Sequence, residues 1–171
     1  MADPLADRLR GLLASDVYTE KGRLRSDDLL VRERACHSLN DAAAAVRQLS
    51  SRWRAERVPP STREQPFPPA GVMEPLRRAD RLGRAIEDVS TEIRGLPLLS
   101  QDKVWDRARG GVALRELLQF DWTLVAEAEA VAEALSRAAS LAGIDLTAVD
   151  EHLARLRAVI ADRRRYVQVP A

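Results

Sequence analysis

A run of apolar positions recurring in steps of three and four constrains this chain most. It passes through Leu114, Leu117, Leu124, Ala128, Val131, Leu135, Ala138 and Ala142, with Asp121 as its one charged member. That spacing lays a single stripe along an α-helix and does not match the two-residue period of a strand. The same steps recur in Cys36, Leu39, Ala43, Val46, Ser50 and Trp53, a stripe widened by Ala35, Ala42 and Leu49. They recur again in Ala79, Leu82, Ile86, Val89 and Ile93, and in Leu146, Val149, Leu153, Leu156 and Ile160. An amphipathic helix in water gains most of its stability by covering such a stripe. Four stripes therefore predict an all-α fold, an antiparallel four-helix bundle in a single domain spanning 1–171, with the bundle at about 26–166. Some of these seams would instead face a second chain if the protein were a helical dimer.

Boundary residues divide the chain further. Asp3 and Pro4 suit a helix start, and Leu5, Leu9, Leu12 and Leu13 share a face, which predicts a short amphipathic N-terminal helix at about 4–15. A loop or weak hairpin is expected around Gly22. The first long helix is expected from Ser26, with Asp27 and Asp28 at the positive end of its dipole, to about Arg57. The second is expected from about Glu74, with Pro75 in its first turn, and ends at the Gly95–Leu96–Pro97 stop. Gly110 and Gly111 interrupt the next pattern at a cost of about 2 kcal/mol relative to alanine, so a short piece from Ser100 should break there and a long helix should run from Val112 to Ala142. The last helix opens at Asp145 or Thr147. These lengths imply two long and two shorter helices. Residues 58–75, VPPSTREQPFPPAGVMEP, hold six of the nine prolines. They read as an ordered proline-rich strap, the long crossover of the bundle, with Phe67 and Val72 packed against it.

The charge pattern limits function. Net charge is +1, with 27 Lys and Arg against 26 Asp and Glu, so no global field drives the chain toward nucleic acid or an anionic membrane. Lys21 and Lys103 are its only lysines, and the abundance of Ala, Arg, Leu and Val together is what GC-rich codons produce. Arg77, Arg81 and Arg84 share one side of a helix, with Arg78 adjacent; Arg163, Arg164 and Arg165 cluster near the C-terminus with Arg155 upstream. Guanidinium groups in such patches suit phosphate contact. With few aromatic residues between them, base stacking is not implied. Asp121, within the stripe, is a buried polar candidate that needs a cationic partner, such as an arginine from a facing helix.

No catalytic constellation stands out. Cys36 is the only cysteine, and there is no CxxC, Gly-x-Ser-x-Gly or phosphate-loop motif. His37 and His152 are the only histidines, and no Glu-x-x-His pair accompanies them. Neither a metal nor a cofactor is expected. The opening MADPLADRLRGLL is acidic early and not continuously apolar, and no window approaches a membrane span, so a cytoplasmic location is expected. The stretch ACHSLNDAAAAVRQL, residues 35–49, resembles the phospho-acceptor helix of histidine phosphotransfer and sensor-kinase dimerisation domains. His37, Leu39 and Asn40 carry that resemblance, which implies His37 as acceptor. Asn40 and Asp41 depart from the Lys and Gly those domains prefer, and the chain has no ATP-binding domain. The expected function is a non-catalytic helical module, a scaffold or small accessory subunit, acting through a protein partner or self-association. The alternatives are an Arg-faced subunit touching nucleic acid within a complex, and a phosphotransfer-like bundle.

Overall fold

A computed structural model describes residues 20–97 and 112–168. Among them are α1 (Glu20–Arg57), α2 (Ala70–Arg94), α3 (Val112–Ser136), a 3-10 turn at Leu141–Gly143, and α4 (Leu146–Gln168). The helices pack against one another as an all-α bundle. The expected N-terminal helix at 4–15 and the short piece from Ser100 lie outside the described residues.

Side-chain pairs give the directions of the helices. Arg47 meets Glu87 at 3.2 Å, and the Trp53 Nε1–H donates to the Val72 carbonyl at 2.9 Å. As one number rises the other falls, so α1 and α2 are antiparallel. Glu127 with Arg155 and Asp121 with Arg163 set α3 against α4 in the same sense. Between α1 and α3 the numbers rise together: Arg34 pairs with Glu129, and Asp28 and Asp121 share Arg163. These two neighbours therefore run parallel. The side of the bundle between α2 and α4 is the thinnest, with Arg157 and Glu92 bridging it at 4.0 Å.

The stripes form the core. Leu39, Ala42, Ile86, Val89, Val131 and Leu156 are among its fully enclosed members. Each buried Leu, Ile or Val contributes about 1.5–3 kcal/mol. Ala42 and Ala43, both buried, let the neighbours of α1 approach closely.

Several boundaries differ from expectation. α1 begins at Glu20 and includes Gly22. Its neighbours Lys21, Arg23, Leu24 and Arg25 are good helix formers, which outweigh the roughly 1 kcal/mol cost of one interior glycine. α3 stops at Ser136, short of Ala142. The Ser136 hydroxyl donates to the Glu133 carbonyl, Ser140 is extended, and the following 3-10 turn buries Leu141 instead. The lengths are 38, 25, 25 and 23 residues, so one long helix stands beside three of similar size rather than two long beside two short. α1 spans roughly 57 Å.

The proline-rich stretch is shorter than expected and does not cross the bundle. α2 starts at Ala70, with the Val72 and Met73 N–H groups donating to the Pro69 carbonyl, and Pro75 sits inside the helix rather than in its first turn. Because α1 and α2 are antiparallel neighbours, residues 58–69 need only turn the chain around. Phe67 is 84 % exposed, not packed on the bundle. The loop instead bonds to itself, through Thr62 to Gln65 and from the Ser61 hydroxyl to the Pro66 carbonyl. Val72 lies in α2, half-buried, and contributes its carbonyl to Trp53.

Candidate functional site

One end of the bundle holds four charged side chains in a closed set: Asp28 and Arg32 from α1, Asp121 from α3 and Arg163 from α4. Arg32 donates Nε to Asp28 Oδ1 at 3.2 Å and Nη2 to Oδ2 at 2.6 Å. The same guanidinium donates to the carbonyls of Leu96 and Pro97, just past α2. Arg163 donates Nη2 to Asp28 and Nε to Asp121 Oδ1, the latter at 2.9 Å. Two cations and two anions thus tie all four helices together. Burial pushes the Asp121 carboxyl above its ordinary value, and the Arg163 guanidinium opposes that rise. The Arg163 Nη1 group is buried without a hydrogen-bond partner. Buried charges are tolerated only when paired in this way, and their most secure effect is to penalise any other register of the helices.

This arrangement corrects one sequence expectation. Arg163 is not part of a basic surface: it is 1 % exposed and engaged by two carboxylates. The signal was present, because Leu153, Leu156 and Ile160 lead to Arg163 by the same steps of three and four. Arg32 and Asp28 extend the α1 stripe backwards from Ala35 in the same way.

Beside the network, between α1 and the end of α2, lies an open groove of about 900 Å³. Leu29, Cys36 and Leu96 line it with Glu33, His37, Asn40 and Arg94. Leu29, next to Asp28, is 52 % exposed and Leu30 44 %; Trp122, next to Asp121, is 37 % exposed. Three large apolar residues on the surface thus lie close in sequence to members of the charge network. The Cys36 thiol is buried and lies 3.6 Å from the Ser90 carbonyl oxygen, to which it donates.

The remaining candidates are scattered. His37 is largely exposed, with Nε2 3.4 Å from the Asp41 carboxylate. Arg77, Arg81 and Arg84 are exposed on α2. Arg81 and Arg78 approach Glu74 at 3.6 and 3.1 Å, and the Arg78 hydrogen bond holds that carboxyl below its ordinary value. Arg164 is exposed, and Arg165 pairs with Asp162. The α2 arginines and the C-terminal arginines sit at opposite ends of the bundle and form no joint patch.

A second charged cluster spans α3 and α4. His152 Nδ1 lies 2.6 Å from Glu127 Oε2, and Arg155 Nε donates to the same oxygen at 3.0 Å. Burial raises the Glu127 carboxyl, but hydrogen bonds from His152 and Arg155 outweigh it and hold the group below its ordinary value. Sequence spacing places His152 and Arg155 on one face of α4 but does not point to Glu127, which α3 supplies. Among the described residues no three His, Cys, Asp or Glu side chains gather as metal ligands, and no helix is long and apolar enough to cross a membrane. No family model, curated protein or solved structure matches the chain.

Proposed function

We propose that this chain is a non-catalytic helical interaction module, a cytoplasmic scaffold or small accessory subunit. Its docking surface is the α1–α2 groove at the network end, and its partner there is an amphipathic helix. The observation that carries this reading is the exposure of Leu29 in that groove, with Leu30 exposed next to it in sequence, beside a buried charge network. Large apolar side chains in water are costly and mark interaction sites when they cluster. A surface held by four tied helices is already organised before binding, which lowers the cost of association. Glu33, His37, Asn40 and Arg94 supply the polar rim that orients a helix lying on Leu29.

The test is purification from the source cells with a tag. The wild-type chain is expected to carry a stoichiometric partner whose cross-links map to Leu29, and Leu29→Glu/Leu30→Glu is expected to lose it with unchanged helicity. Equal recovery with both chains, or cross-links mapping elsewhere, sinks this reading.

A second reading, phosphoryl acceptance at His37, is supported by the exposure of that ring. It ranks below the first because the Asp41 carboxylate beside Nε2 repels an incoming phosphoryl group. Incubation with a phosphoramidate donor and detection of phosphohistidine decides it: an adduct absent from His37→Gln supports it, and no adduct ends it.

A further inference from the structure

The end opposite the network is divided by charge. Beyond the Arg47–Glu87 bridge, the tip of the α1–α2 hairpin comprises residues 48–86. It holds eight arginines and four carboxylates, a net charge of +4. Beyond the Glu127–Arg155 bridge, the tip of the α3–α4 hairpin comprises residues 128–154. It holds five carboxylates and one arginine, a net charge of −4 with His152 neutral. Both tips lie at the same end, because α1 and α3 run parallel and the turn at Leu141–Gly143 packs on α1 and α2. A chain with a net charge of +1 therefore presents two lobes of opposite sign side by side.

These lobes do not neutralise each other. Among the described residues Arg52, Arg54, Arg77 and Arg84 form no ion pair, and on the other lobe neither does Asp150. A polyanion suits the basic lobe but is repelled by its acidic neighbour. A surface with the same two-lobed pattern suits both. The chain itself is such a surface: a two-fold axis lying along the seam between the lobes, perpendicular to the helices, sets the basic lobe of one copy on the acidic lobe of the other. Phe67, 84 % exposed at the apex, supplies an apolar anchor, and the prolines around it lower the cost of ordering the loop.

We infer that this end is a self-association surface whose partner is a second copy of the chain. The inference is independent of the groove reading. Together they describe a two-ended scaffold, with outward-facing grooves roughly 80 Å apart.

Sedimentation velocity tests it. The wild-type protein is expected to be a dimer in 50 mM salt and at least tenfold weaker in 500 mM salt. The variants Arg54→Glu/Arg77→Glu/Arg84→Glu and Glu133→Arg/Asp150→Arg/Glu151→Arg are each expected to be monomeric with wild-type helicity. Mixed one to one, they are expected to recover the dimer, because each lobe again meets its opposite. Arg164→Glu, a single charge reversal at the far end, is expected to leave dimerisation unchanged. A monomer at both salts overturns the inference and leaves the groove reading standing. So does a mixture that stays monomeric, or a dimer lost in Arg164→Glu. A wild-type monomer that binds labelled duplex DNA through Arg54 and Arg84 also overturns it, in favour of a polyanionic partner.

Discussion

The two ends of this bundle use the same residue types in opposite ways. At the network end Arg163 and Arg32 are enclosed, each bonded to more than one acceptor, and hold all four helices in one register. At the tip more arginines are present, but they stand in solvent and hold little in place. One position in the helical period makes the difference: Arg163 falls on the stripe of α4, and Arg164 does not. A cation on a stripe must bring its own anions or the helix cannot pack. A cation off the stripe is free for a partner.

The largest effect should come from breaking the enclosed end. Arg163→Met leaves Asp121 half-buried beside Asp28 with no cation of its own. Removing one member of a buried pair costs about 3–5 kcal/mol. Urea denaturation monitored by circular dichroism should show a loss of that size. A loss below 1 kcal/mol would mean that the network contributes no more than a surface pair. At the tip, Trp53→Phe removes one hydrogen bond, to the Val72 carbonyl, and should cost about 1 kcal/mol by the same measurement.

A finer test uses pH. Glu127 titrates below its ordinary value of 4.5 in the folded chain. It therefore contributes stability that is present above that value and lost as pH falls through the folded one. Asp121 titrates above its ordinary value of 3.8, so the folded chain takes up its proton first. Its contribution has the opposite sign, growing as pH falls through the folded value toward 3.8. Between pH 6 and 3 the urea midpoint of Glu127→Gln should fall less with acid than that of wild type, and that of Asp121→Asn should fall more. Equal slopes would contradict both assignments. The smallest effect should be that of Arg54→Glu/Arg84→Glu on folding, within about 0.5 kcal/mol, because neither side chain has a partner to lose.

The core was readable from spacing alone. Val89, Ile93, Val131, Leu135 and Leu156 are buried where the steps of three and four place them. Asp121 was recognisable as a polar residue on a stripe, but its partner was not. The triplet Arg163–Arg164–Arg165 reads as a basic patch, and only its register separates the buried member from the exposed ones. Asp28 resembles a residue at a helix start, and nothing local shows that Arg163, 135 positions away, reaches it. The proline-rich turn departs from its expected path for a related reason. Its reach along the chain is fixed by its length, but whether α1 and α2 are neighbours depends on tertiary packing. The groove follows from that same pairing of helices, and so do the two charged lobes, although every charge in them is visible in the sequence.

Hydrogen exchange at two protein concentrations tests the contrast between the ends most directly. At about 1 µM and about 200 µM in low salt, the network end (residues 28–39 and 156–163) should exchange equally slowly. Both tips, 48–86 and 128–154, should gain protection at the higher concentration. Protection that grows at the network end, or tips that exchange identically at both concentrations, would contradict the account.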